Sequence, residues 1–441
     1  MTEKLYYADA YCSEFTAVVT DCRERKSGYE VVLNRTAFYP EGGGQPGDRG
    51  ALFVIEHDAH PAVGEQEKAA AVTGKVQEET AAVTGSEPEV IGDAPTESGC
   101  QIAEVFHMDA EAIPVHDTHE NAGVILHYTD SYLAPGTIVA GKIDWDYRFD
   151  LMQNHSGEHI VSGLIHEKFG YHNVGFHMGS DVITIDLTGE LTVEEMQEIE
   201  RRANMLVWKN LPVDITVYDE ENVKEIEYRS KKELHGEVRI VTFPEADVCA
   251  CCGTHVRYTG EIGLIKLISM QKFKGGVRME MLCGRRAAEY MNGIWEQNHQ
   301  ISVALSAKPK ETAAAVQRLK EAEAAASFRM TALENELFAV KAANLKGAGN
   351  VLLFEEGLAP DAVRRLTVAV MEVCAGMCVV FSGDDENGYK YALGQENGDL
   401  RALVKEMNGV LKGRGGGKPF FAQGSVEAKR AQIEAFFADR I

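Results

Sequence analysis

The chain has 441 residues, 45% of them hydrophobic and 25% charged, with a formal net charge of −24. That is ordinary globular composition, long enough for two or more domains with their own cores. It holds no run of about 18 apolar residues that could cross a bilayer, and its N-terminus, MTEKLYYADAYCSEF, lacks an apolar signal core, so a cytoplasmic location with no membrane partner is expected.

The acidity is unevenly spread. Residues 56–120 carry fifteen acids against Lys68 and Lys75, over half of the total charge, while residues 401–430 carry seven Lys/Arg against Glu406 and Glu427. Lys272, Lys274, Arg278, Arg285 and Arg286 form a second basic group. A polyanion senses such patches over about 8–10 Å rather than the chain-wide sum.

In chain order, FTAVVTDCRER and YEVVLNRTAFYP alternate and are rich in Val and aromatics, which predicts strands. PEGGGQPGDRG (40–50) reads as an exposed loop. Residues 60–100 are Ala/Glu/Thr/Gly-rich, repeat AAVTG at 70–74 and 81–85, and read as a polar acidic insert with too few apolar residues to pack alone. Strand character returns in AEVFHM, AGVILHYTD and TIVAGKIDW. A helix is expected from Tyr147 through HSGEH, and a second from the capping box Thr192–Glu195 to about Asn210. DITVYD, VRIVTF, GLIKLISMQ and VRMEMLC read as strands.

Beyond Lys308, Val316, Leu319, Glu323, Ala326, Met330, Leu333, Leu337 and Val340 step by threes and fours. Seven of these eight are apolar, the pattern of a coiled coil or helical hairpin. Residues 350–441 alternate strands with helices at 361–374, 399–411 and 426–438. The expected class is α+β: an N-terminal β-barrel-like domain over 1–145 with the insert at about 60–100, an α+β domain over 146–300, a helical linker over 305–347 and a small α/β domain over 350–441.

His155 and His159 stand four apart in HSGEH, the spacing at which two imidazoles on a helix can meet one ion. Cys251 and His255 stand four apart in CACCGTHV around Gly253, in what reads as a tight turn between strands. Together they make a Cys/His3 set that suits Zn2+, as a closed structural site or a catalytic one. Cys252 and Cys249 are competing thiols. Read literally, HSGEH is also the H-x-x-E-H pattern of inverted zincins, which would make Glu158 the general base of a metallopeptidase.

RFDLMQNHSGEHIVSG, CCGTHVRYTGEIGLIKL and GVRMEMLCGRRA resemble the editing domain of alanyl-tRNA synthetase. FYPEGGGQPGDRG and IDWDYR resemble the β domain of the free-standing AlaX editing proteins, and GRGGGKPFFAQGS resembles the C-terminal domain shared with DHH phosphoesterases. The resemblance covers essentially the whole chain, as in a long AlaX protein, and no aminoacylation domain is recognisable. It implies zinc on His155, His159, Cys251 and His255, and hydrolysis of tRNA(Ala) mischarged with serine or glycine. Cys252 stands where the family has a glycine, and Glu158 where it has a small residue or Thr.

Gly42-Gly43-Gly44-Gln45 resembles the GGQ of release factors, which also act on an ester at a tRNA end. The resemblance turns Gly43, Gly44 and Gln45 toward the editing pocket, with Thr254, His177 and Gln45 as candidate catalytic residues. Arg285 and Arg286 are candidate phosphate contacts, and Arg414 and Lys418 flank glycines in a flexible basic loop suited to a tRNA backbone. The heptad-like helix and the C-terminal domain suggest a homodimer. Two rival readings fit the same residues: the inverted-motif zinc peptidase, and a non-catalytic tRNA-binding protein with structural zinc.

Overall fold

A computed structural model describes residues 1–55, 111–230 and 236–441. The acidic insert at about 60–100 and the AEVFHM strand lie outside the described residues. The chain divides into two compact units, Met1–Trp295 and Glu296–Ile441, with the helix Gly284–Ala304 running across the division.

The first unit opens with a closed six-stranded barrel. Its strands, in spatial order, are Glu14–Glu24, Tyr29–Leu33, Val124–Thr129, Ala112–Asn121, Gly50–Val54 and Ile138–Ile143. Alternating residues such as Phe15, Ala17, Val19, Val31 and Leu33 point inward to one core, as the period-two pattern requires.

The same unit holds a four-stranded antiparallel sheet in the order Ile265–Phe273, Gly276–Cys283, Ile183–Leu187, Asn173–Met178. The helices Trp145–Phe169 and Val193–Lys209 share its core. The first helix starts on Asp144, whose side chain accepts from the Tyr147 N–H, and stops at Gly170 in the left-handed conformation. It is buried around most of its circumference, so its apolar positions do not form one stripe. The second helix carries the expected capping box of Thr192 and Glu195. A third antiparallel sheet joins Asp214–Tyr218, Val238–Phe243 and Asp247–Ala250.

One buried ion pair fixes the glycine-rich loop to the long helix. Arg148 and Asp48 are both fully buried, and the Arg148 Nε donates to both Asp48 oxygens at 2.9 and 2.8 Å. The guanidinium also donates to the carbonyls of Ala10 and Ala37, while Asp48 accepts from the Tyr39 N–H. Each charge is thereby satisfied on several sides, the condition for burying a pair without a large desolvation penalty. Residues 37–48 are held against the helix about two turns before His155.

The second unit holds the 33-residue helix Thr312–Asn344 and a five-stranded sheet in the order Val351–Glu355, Cys378–Asp384, Gly388–Gly394, Phe421–Val426, Gly413–Lys418. Helices Pro360–Met371, Arg401–Val410 and Arg430–Phe437 complete it. The expected flexible loop at 414–418 is instead a paired edge strand, in register Arg414 to Ser425 through Lys418 to Phe421. Its glycines are there for closeness: a Cβ on Gly415 would lie 2.4 Å from the Tyr391 hydroxyl, and one on Gly417 2.2 Å from the Phe421 carbonyl. Among the described residues no helix is long and apolar enough to cross a membrane.

Candidate metal centre

The helix Trp145–Phe169 presents His155 and His159 toward the turn that follows strand Asp247–Ala250, which carries Cys251 and His255. Donor atoms of these four residues all lie within 4.8 Å of one another, three of the residues buried and Cys251 half-buried. The Cys251 Sγ is 3.5 Å from the His155 Nε2. Of the competing thiols, Cys252 is exposed, and Cys249 groups with His159 and Asp247 rather than with all three histidines.

Each helix histidine is oriented through its other nitrogen. The His159 Nδ1 meets Asp247 Oδ2 at 2.9 Å, and Asp247 also accepts two bonds of 2.7 Å from Arg229. The His155 Nδ1 meets Gln45 Oε1 at 2.9 Å. Such outer partners set ring orientation and basicity in metal sites. The inner side has the converse character: the His159 Nε2 and both nitrogens of His255 are buried without a hydrogen-bond partner. Unpaired buried nitrogens are costly unless an electrophile takes their lone pairs, so the residues fit a metal ion.

The electrostatics agree. Burial alone would push the Cys251 thiol up, but the neighbouring His155 and His255 rings outweigh it and hold the thiol well below its ordinary value. Burial draws His255 down to about 3, keeping it neutral. For His159, burial acts to lower the value, yet the Asp247 carboxylate and the Cys249 and Cys251 sulfurs hold it well above the ordinary one. The positive charge Asp247 favours on that ring is one a metal ion can supply in place of a proton. A thiolate with three imidazoles is a tetrahedral set of the kind that holds zinc.

The remaining residues of HSGEH have packing duties. A Cβ on Gly157 would fall 2.2 Å from the Cys283 Sγ. Ser156 Oγ accepts from the Val256 N–H at 3.1 Å, joining the helix to the ligand turn. Glu158 is buried and accepts from Ser162 and Asn173. In the metallopeptidase reading Glu158 is the base; here its carboxylate is engaged by Ser162 and Asn173 and is not part of the four-residue group. Gly253 is required sterically, since a Cβ there would lie 2.2 Å from the His155 Cε1 and 2.5 Å from its Nδ1.

The other anticipated residues separate. Gln45 and Thr254 were expected to face a substrate, but both are buried and bonded to each other: Gln45 Nε2 donates to Thr254 Oγ1 at 2.8 Å, and the Thr254 N–H donates to Gln45 Oε1 at 3.2 Å. Gly43 is open around its Cβ position, whereas a Cβ on Gly44 would strike Phe176 at 2.7 Å. His177 is exposed, outside the cluster, in an adjoining cleft of about 350 Å³ that Gly44, Gln45, Arg49 and Tyr147 also line. Arg286 is not free for phosphate: its guanidinium pairs with Asp150 at 2.6 Å and donates to the Gly179 carbonyl. Arg285 donates to the Asp146 carbonyl. Both line a cleft of about 690 Å³ that also holds Asp144, Asp146, Asp150, Asp181 and Glu289. Arg414 and Lys418 are exposed on the edge strand in the second unit.

Sequence reasoning missed Asp247 and Arg229. A ligating histidine nearly always has an acceptor on its second nitrogen, so some carboxylate or amide was to be sought, but nothing in the sequence singles out Asp247.

A model of the threonyl and alanyl tRNA synthetase second additional domain matches residues 238–280, which include Cys251 and His255, and a DHHA1 domain model matches residues 344–439. The chain is 29% identical to alanyl-tRNA editing protein AlaX-L of Pyrococcus horikoshii, over 98% of this chain and 96% of that one. It is 24% identical to alanyl-tRNA editing protein Aarsd1-A of Xenopus laevis, over 97% and 95%. Its 30% identity to an alanine–tRNA ligase of Halorubrum lacusprofundi covers 96% of this chain but 42% of the ligase.

Proposed function

We propose that the chain, similar over nearly its full length to long AlaX editing proteins, is a zinc-dependent deacylase of mischarged tRNA(Ala), acting in trans on Ser-tRNA(Ala) and Gly-tRNA(Ala). The observation that carries this reading is the meeting of His155, His159, Cys251 and His255, drawn from two distant segments, beside the glycine loop at 42–44. Bound there, zinc would supply positive charge to polarise an ester carbonyl or to lower the pKa of water.

The chain's own residues do the positioning. Gln45 and Asp247 hold the two helix histidines by their outer nitrogens, and Thr254 fixes the amide of Gln45. The Gly42–Gly44 loop presents bare backbone, which lets the end of an RNA approach closely. His177 stands in the neighbouring cleft, within reach of a substrate that enters it. Arg414 and Lys418, exposed on an edge strand of glycines, supply backbone-phosphate contacts for the tRNA body. The outward apolar stripe of the helix Thr312–Asn344, including Leu319, Met330, Leu333, Leu337 and Val340, supports a homodimer through that helix.

The test is hydrolysis of Ser-, Gly- and Ala-tRNA(Ala) by zinc-loaded protein. Release of serine and glycine with Ala-tRNA(Ala) spared supports the reading. Tight tRNA binding without turnover of any mischarged species would favour the non-catalytic alternative instead.

A further inference from the structure

Cys251 is the one member of the metal cluster that is not fully buried, so the centre is approached from its side. Two groups unused so far stand there. Arg239 donates from Nη1 to the Cys251 carbonyl at 2.7 Å, and its Nε is shielded from water without a partner. Among the described residues the Cys251 carbonyl is its hydrogen-bond acceptor, and it is half-buried. Its guanidinium lies 5.5 Å from the ring centre of Tyr7. Tyr7 is 40% exposed, and Cys252, the residue after the ligand, is among the groups that act on its hydroxyl. Tyr6 braces the Tyr7 ring edge-on at 4.7 Å, and Tyr6 in turn packs on Tyr39 at 5.3 Å, whose hydroxyl donates to the Gly42 carbonyl. A braced, exposed aromatic ring and a half-buried guanidinium with donors to spare therefore flank the metal centre and the glycine loop.

We infer that Tyr7 and Arg239 seat the 3′-terminal nucleotide of the RNA: Tyr7 stacks on the terminal base, and Arg239 donates to its phosphate or ribose oxygens. The inference rests on the proposed RNA substrate but not on hydrolysis. An aromatic face is worth about 1–3 kcal/mol per stacked base and tolerates any base. An arginine donates in a planar fork and needs an anion or oxygen to receive it. An ester placed at the end of that nucleotide would lie next to Cys251, where the four donor groups converge.

The test measures binding of an RNA minihelix ending in CCA by the full zinc-loaded chain, against the same minihelix lacking its terminal nucleotide. Wild type should prefer the complete end by about tenfold or more, Tyr7→Phe should keep that preference, and Tyr7→Ala should abolish it with zinc content unchanged. Arg239→Gln keeps an N–H donor for the Cys251 carbonyl and should weaken binding of the complete end while leaving the truncated one alone. Retained preference in both Tyr7→Ala and Arg239→Gln overturns the inference. Absence of deacylation by wild type would sink the proposed activity and leave this result standing.

Discussion

Gln45 offers a sharp test because two roles for it predict opposite kinetics. Its Oε1 accepts from the His155 ring at 2.9 Å and from the Thr254 N–H at 3.2 Å, and its Nε2 donates to the Thr254 hydroxyl at 2.8 Å. With every polar atom used and no exposure, its geometry fits a proposed role through His155 rather than on a substrate. Gln45→Leu removes the acceptor that orients the ring. Loss of such an outer partner costs about 10–100-fold in metal affinity, or about 1.4–2.7 kcal/mol. It also leaves the buried Thr254 N–H unpaired, a further cost of about 1–3 kcal/mol to the fold. Gln45→Glu should keep affinity within a few-fold, because one oxygen still accepts from His155 and Thr254 while the Thr254 hydroxyl turns to donate to the other. The assay is zinc affinity by chelator competition, paired with deacylation at saturating zinc. If Gln45→Leu binds zinc as tightly as wild type yet loses turnover, Gln45 acts on the substrate and the reasoning fails.

Gly253→Ala places a methyl 2.2 Å from the His155 ring, so purified protein should carry under a tenth of the wild-type zinc; full occupancy would show that the ring can yield. Glu158→Gln keeps an oxygen for Ser162 and Asn173 and should leave turnover within about threefold, whereas abolition of activity would restore Glu158 as a base. Burial draws the His127 imidazole down to about 4 from 6.5. Because the unfolded chain binds the extra proton between those values, the contribution of His127 is complete above about pH 6.5 and is lost as pH falls toward 4. The loss between pH 7.5 and 5 is about 2 kcal/mol, read from denaturant midpoints, and equal pH slopes for wild type and His127→Gln would refute it.

Ligand pairs are legible in a sequence when both members lie on one regular element or one tight turn. His-x3-His and Cys-x3-His are such cases, and the four residues named from spacing do cluster. The alternation that announced the barrel strands, the Thr192–Glu195 box and the αβ pattern after residue 350 follow from local chemistry in the same way. What spacing cannot carry is partnership across the fold. Gln45 reads as an exposed loop amide because its neighbours are glycines, yet the Arg148–Asp48 pair draws that loop inward until the amide reaches His155. Arg286 looks like a phosphate ligand until the helix Trp145–Phe169 brings Asp150 to 2.6 Å. The glycines at 415–417 suggested freedom, but they let two strands and Tyr391 come close. In each case the missing information was the identity of a distant contact, which residue type alone does not fix.

The most direct measurement follows serine release from Ser-tRNA(Ala) by four samples: the full chain with zinc, the chelator-stripped chain, Cys251→Ala and Cys252→Ala. Because Cys251 sits with the three histidines while Cys252 is exposed, stripping and Cys251→Ala should each lower kcat/KM by at least about 100-fold, while Cys252→Ala stays near wild type. Turnover that survives both stripping and Cys251→Ala, or that is lost only in Cys252→Ala, would contradict a zinc centre built on Cys251.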